Sequence, residues 1–119
     1  MSHILIVDDD DSILESLEFL FKDAGYQVSL CSDGANIKAN FPQGIPDLIV
    51  LDYWLPDTTG GDLTRQLKNN RQTSHIPVII ISAGYNVKDL VVESGADAFL
   101  PKPYDIDQLL SIVAKHTIN

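Results

Sequence analysis

A single cysteine, Cys31, leaves no partner for an internal disulfide. Its place in an apolar stretch predicts a buried core residue and not a reactive thiol. Long apolar runs are also missing, and none approaches the roughly 20 residues that span a bilayer. The first such run, Ile4 to Val7, stops at four consecutive aspartates, which fits neither a signal peptide nor a lipid anchor. No membrane association and a cytoplasmic location are therefore expected. Basic residues are scarce: 8 Lys and Arg face 17 Asp and Glu, giving a formal charge of -9. That balance disfavours direct contact with nucleic-acid backbones or anionic membranes. Internal repeats, low-complexity stretches and linkers are absent too, so a single domain over residues 1–119 is expected. At this length a catalytic domain together with a separate output domain is not expected.

What is present is an ordinary globular balance, 45% apolar and 21% charged residues, arranged in two alternating periods. Ile4 to Asp8 reads as an apolar strand, followed by Ile13, Leu14, Leu17, Leu20 and Phe21 at helical spacing up to Gly25. A second strand is predicted over Tyr26 to Cys31, and a short helix over Ala35 to Phe41, cut off by Pro42. Leu48 to Leu51 reads as a third strand, with a helix between Gly60 and Asn70. Val78 to Ile81 is a fourth strand, Val87 to Ser94 a helix stopped by Gly95, Ala98 to Leu100 a fifth strand, and Ile106 to His116 a last helix. Strands apolar on both faces, alternating with amphipathic helices, imply an α/β doubly wound five-stranded parallel sheet with five helices.

In such a sheet, ligands sit beyond the carboxyl ends of the strands. Asp8 and Asp9 end the first strand, Asp52 the third and Ser82 the fourth, and Lys102 follows the fifth. Parallel topology thus gathers three carboxylates, a hydroxyl and an ammonium at one edge. Carboxylates without histidine or cysteine favour a hard cation, and magnesium suits so few ligands, whereas zinc does not. The plainer interpretation, aspartates as helix caps, suits Asp10 or Asp11 at the start of the first helix. It does not cover the whole set, because crowded carboxylates repel unless something relieves them. A carboxylate also serves as a nucleophile toward a phosphoryl group, with magnesium, Lys102 and Ser82 placed to stabilise the transferring oxygens.

Several separated motifs agree with this chemistry: Val7-Asp8-Asp9-Asp10, Leu51-Asp52-Tyr53-Trp54-Leu55-Pro56, Gly60, Ser82-Ala83, Phe99 and Lys102-Pro103. Together they resemble the receiver domain of two-component response regulators over essentially the whole chain. The resemblance implies the flavodoxin-like strand order 2-1-3-4-5 and Asp52 as phosphoacceptor. It also implies Mg2+ held by Asp9 and Asp52 directly, by Asp8 largely through water and by the backbone carbonyl of Trp54. Ser82 and Lys102 would bind the added oxygens, and Ser82 with Phe99 would form the switch. Pro56, Gly60 and Pro103 would shape the loops, the Lys102–Pro103 bond being usually cis. The phosphoryl donor implied is a histidine kinase or histidine phosphotransfer protein. The output partner would bind the face of the fourth helix, fifth strand and fifth helix. Such a domain is a self-modifying switch and not an enzyme with a diffusing product.

Two alternatives stand beside this interpretation. One is a receiver-like interaction module that works without phosphorylation. The other is a flavodoxin-like cofactor carrier, which is disfavoured because four aspartates occupy the place of a phosphate-cradling loop. Two features depart from the family pattern. The stretch from Ser82 to Gly95 is short, and Gly84, Tyr85 and Asn86 dilute helix propensity, so a short, shifted or irregular helix is expected there. Trp54 is large for a position two after the phosphoacceptor: it either roofs the site or packs against Tyr53, Pro56 or a partner. The three histidines are given no ligand role. Phe19, Phe21, Phe41 and Phe99 read mostly as core, and Tyr85 and Tyr104 as candidate partner-facing aromatics.

Overall fold

Three of the five strands are runs of large aliphatic residues, which suit a surface buried on both faces. The computed structural model describes residues 2–35, 37, 41, 44–83 and 87–117. Its elements in chain order are β1 (His3–Val7), α1 (Asp11–Asp23), β2 (Gln27–Cys31), β3 (Leu48–Asp52), α2 (Gly60–Lys68), β4 (Val78–Ser82), α3 (Lys88–Ser94), β5 (Ala98–Pro101) and α4 (Ile106–Thr117). All neighbouring strands pair in parallel, in the order β2-β1-β3-β4-β5.

Side chains alternate across the sheet, so each central strand feeds two cores. Leu5, Val7, Ile49, Leu51, Val78 and Ile80 pack on one face with Leu63 and Leu67 of α2 and Val91 of α3. Ile4, Ile6, Leu48, Val50, Ile79 and Ile81 pack on the other with Leu14, Leu17 and Phe21 of α1 and Leu109 and Val113 of α4. Each fully buried Leu, Ile or Phe contributes on the order of 1.5–3 kcal/mol relative to exposure.

Local signals set the helix limits. The Asp10 carboxylate accepts from the Ser12 and Ile13 N–H groups and caps α1, one of the two aspartates expected in that role. Thr59 caps α2 by accepting from Asp62 N–H at 3.1 Å. Helix α3 has seven residues and no side-chain cap, in keeping with the short helix expected, and ends at Gly95 with φ of 91°. Gly84, Tyr85 and Asn86, which precede it, lie outside the described residues.

Two expectations are corrected. Four helices are present among the described residues, not five. The missing one was expected over Ala35 to Phe41, where residues 36 and 38–40 lie outside the described set. Ala35 and Ile37 lie in a turn, with the Ile37 N–H bonded to the Gly34 carbonyl at 3.4 Å, and a segment carrying Asn36, Asn40 and then Pro42 has little intrinsic helix preference. Phe19 is 76% exposed and not core, because it falls off the stripe of Leu14, Leu17 and Phe21. His3, near the chain start, is buried, and its ring nitrogen Nε2 pairs with Ser29 Oγ at 2.6 Å. No helix among the described residues is long and apolar enough to cross a membrane.

Candidate functional site

The central position of β1, β3 and β4 fixes what meets at their carboxyl ends. Val7 pairs with Leu51, so the residues that follow, Asp8 and Asp52, emerge side by side. Asp52 in turn pairs with Ile81, and Ser82 with Pro101, which brings Lys102 to the same edge. The Lys102 N–H donates to the Ser82 carbonyl at 2.8 Å, and the Lys102–Pro103 bond is cis.

Asp8, Asp9 and Asp52 each offer a carboxylate oxygen within 4.8 Å of the others. Asp8 and Asp52 are 5% and 9% exposed, whereas Asp9 is open to solvent. Lys102 Nζ lies 3.8 Å from Asp8 Oδ2 and 4.0 Å from Asp52 Oδ1. One ammonium therefore faces three carboxylates, and the site carries net negative charge that a cation would offset. Asp8 is oriented by the Asp10 N–H, which donates to its Oδ1 at 2.9 Å.

Burial pushes the Asp52 carboxyl up to about 6, and the charges of Asp8 and Asp9 add to the rise. Lys102 and the N–H of Trp54 oppose it. Asp8 is also raised, chiefly by burial, against the pull of the Asp10 N–H and Lys102. An all-oxygen set of converging carboxylates, with neither imidazole nor thiolate, fits Mg2+ coordination.

The neighbouring residues shape this edge. A Cβ on Gly60 would lie 2.8 Å from the Asp52 carbonyl oxygen and 2.9 Å from Tyr53 Cα, so only glycine lets α2 start this close to the end of β3. The Gly60 N–H bonds to the Tyr53 carbonyl. Ser82 is fully buried, and Phe99 is half-buried against the core under α2 and α3. Pro56 and Pro103 are exposed on their loops. Trp54 is 53% exposed, and its ring leans on Tyr53 with centroids 4.8 Å apart. Of the two arrangements expected for Trp54, packing on Tyr53 is the one observed.

Near the site lie Tyr104, which the sequence marks only as a candidate partner-facing aromatic, and Asp57, which it does not mark at all. Tyr104 is half-buried, and its hydroxyl is pushed up by burial and by the charges of Asp8 and Asp52. Asp57 accepts two main-chain N–H groups from residues more than 20 positions upstream. An aspartate after a proline signals a turn, but nothing in its spacing points to a distant partner.

Residues 4–114 match the family model of the response regulator receiver domain. The chain belongs to this family. It is 36% identical over 115 residues to the DNA-binding dual master transcriptional regulator RpaA of Synechocystis sp., covering 95% of this chain and 48% of that protein. Among solved structures it resembles a putative response regulator from Chloroflexus aurantiacus, with a TM-score of 0.90, 28% identity and coverage of 98% and 97% of the two chains. The signal receiver domain of a signal transduction histidine kinase from Syntrophus aciditrophicus gives a TM-score of 0.90, 32% identity and coverage of 98% and 90%. The chain spans about half the length of the curated relatives it matches. Receiver domains are phosphorylation-dependent signalling switches and do not turn over a diffusing substrate.

Proposed function

We propose that residues 1–119 act as one receiver unit in which Asp52 accepts a phosphoryl group from the phosphohistidine of a histidine kinase or phosphotransfer protein. The observation that carries this reading is the buried Asp52 carboxylate, set among Asp8, Asp9 and the Lys102 ammonium. An Asp52 Oδ attacks the phosphorus as the bond from phosphorus to the imidazole nitrogen breaks, and the leaving imidazole takes up a proton. With its carboxyl near 6, Asp52 is mostly ionised at neutral pH and ready to attack.

Asp8, Asp9, Asp52 and the Trp54 carbonyl are the residues assigned to hold magnesium. When bound, the ion supplies positive charge beside the transferring oxygens. Lys102 pairs with a phosphoryl oxygen, and the Ser82 hydroxyl donates to another. Movement of Ser82 is passed to Phe99 on β5, and from there to the face of α3, β5 and α4, where an output partner binds. Exposed Leu90 and Val92 on α3 and Ile106 on α4 support an interaction role for that face.

The test is intact mass after treatment with acetyl phosphate and magnesium. One added phosphoryl group on the native chain and none on Asp52→Asn is expected. No gain with either acetyl phosphate or a phosphohistidine donor would favour a phosphorylation-independent interaction module.

A further inference from the structure

Asp57 stands at the tip of loop 53–59, outside the carboxylate cluster. Its Oδ1 accepts the Gly34 N–H at 3.0 Å and its Oδ2 the Ala35 N–H at 2.7 Å, so one side chain holds two successive donors of the segment after β2. Both bonds are charge-assisted, and the Gly34 bond leads in keeping the Asp57 carboxyl below the usual carboxylate range.

The loop behind this tip is closed on itself. The Leu55 N–H donates to the Thr58 carbonyl at 3.2 Å, Trp54 pairs with Thr59 in an isolated antiparallel bridge, and the Gly60 N–H bonds to the Tyr53 carbonyl. A closed loop transmits the placement of its tip to its base. At the base, Trp54 lies two residues past Asp52, and its main-chain N–H helps to hold down the Asp52 carboxyl. The clamp thus reaches the reacting carboxylate through main chain alone, without touching it.

We propose that Asp57 is a positioning residue for phosphoryl transfer: by tying loop 53–59 to Gly34 and Ala35, it fixes the Trp54 main chain against Asp52. This rests on the phosphoacceptor role of Asp52. It makes Gly34 and Ala35, in the segment after β2, part of the site's support, although neither supplies a reacting group. Small misplacements of a nucleophile slow a reaction strongly, so the effect is expected in the rate and not in donor binding.

The experiment compares phosphoryl uptake from acetyl phosphate at saturating magnesium. Asp57→Ala, which removes both acceptors, is expected to lower the maximal rate about tenfold with an unchanged half-saturating donor concentration. Asp57→Asn, which keeps one acceptor oxygen, should fall between. Asp97→Ala serves as a control for lost stability, since it breaks the Lys68 Nζ and Val78 N–H bonds to Asp97, both 2.8 Å, away from the site. It is expected to lower the melting midpoint without slowing uptake. A native maximal rate in Asp57→Ala would overturn the proposal, as would equal slowing in Asp97→Ala. Amide exchange at Trp54 N–H is the second readout and should quicken in unphosphorylated Asp57→Ala. If the native chain itself gains no phosphoryl group, the phosphoacceptor assignment fails, and unchanged Trp54 exchange would then overturn the clamp independently.

Discussion

A methyl group on Gly60 would sit 2.8 Å from the carbonyl oxygen of Asp52, well inside contact distance. The obstructing atom is main chain, and the next nearest, Tyr53 Cα, is 2.9 Å away and also main chain. No side-chain rotation relieves such a clash, so Gly60→Ala must move either the start of α2 or the end of β3. A loss of roughly 1–3 kcal/mol in stability is expected, typical of overpacking. Phosphoryl uptake should fall as well, because the end of β3 carries Asp52. Urea unfolding and uptake kinetics check this; native stability would show that the contact yields freely.

The raised carboxyl of Asp52 has a consequence for stability. Its folded value of about 6 stands above the ordinary carboxylate value of 3.8, so the native state binds this proton more tightly than the unfolded chain. Stability from Asp52 is therefore present below pH 4 and is lost as pH rises through 6. At neutral pH the ionised, buried group costs on the order of 1–3 kcal/mol. Without metal, Asp52→Asn should be more stable than the native chain at pH 7, and that advantage should shrink as pH falls toward 4. Chemical denaturation across that range tests it, and equal stabilities at pH 7 would contradict it.

Magnesium at the proposed site would compete with this same proton. Affinity measured by calorimetry should weaken as pH falls through about 6. Asp9→Asn, at the exposed member of the cluster, should lose most of the affinity while remaining folded. Saturating magnesium should also raise the melting midpoint of the native chain. Full affinity in Asp9→Asn would remove it from the proposed ligand set.

Much of this was legible in the sequence, for reasons that can be named. Strands such as Val78–Ser82 declare themselves because a sheet buried on both faces demands unbroken aliphatic runs. Parallel topology then fixes where Asp8, Asp52, Ser82 and Lys102 must meet, without knowledge of any side-chain angle. The misread helix at Ala35 to Phe41 failed where apolar spacing competed with Asn36, Asn40 and a turn at Gly34. Phe19 misled because an aromatic residue was weighed by type and not by its place around α1. Asp57 was invisible for a different reason: hydrogen bonds to main-chain donors 22 and 23 residues away leave no trace in spacing.

Lys102 and Ser82 should separate metal binding from the response to phosphorylation. Lys102 Nζ sits 3.8 and 4.0 Å from Asp8 and Asp52, and the role proposed for it is to meet an incoming anion and not the metal. Lys102→Ala should retain substantial magnesium affinity yet bind beryllofluoride, a phosphoryl mimic, at least tenfold more weakly, the loss of about one charge-assisted hydrogen bond. Ser82→Ala should weaken the mimic-bound state more than the free protein. Fluorescence of Trp54, the one tryptophan, reports the response. A full mimic-induced change in Lys102→Ala would contradict the assignment.

The central claim is that the phosphoryl group rides on the Asp52 carboxylate. Borohydride reduces an acyl phosphate to the alcohol, so treatment of the phosphorylated chain followed by peptide mass mapping reads the site directly. Homoserine at position 52, dependent on magnesium and on the phosphoryl donor, is the predicted result. An unmodified Asp52 in a chain that has gained phosphoryl mass, or homoserine at position 8 or 9 instead, would contradict it.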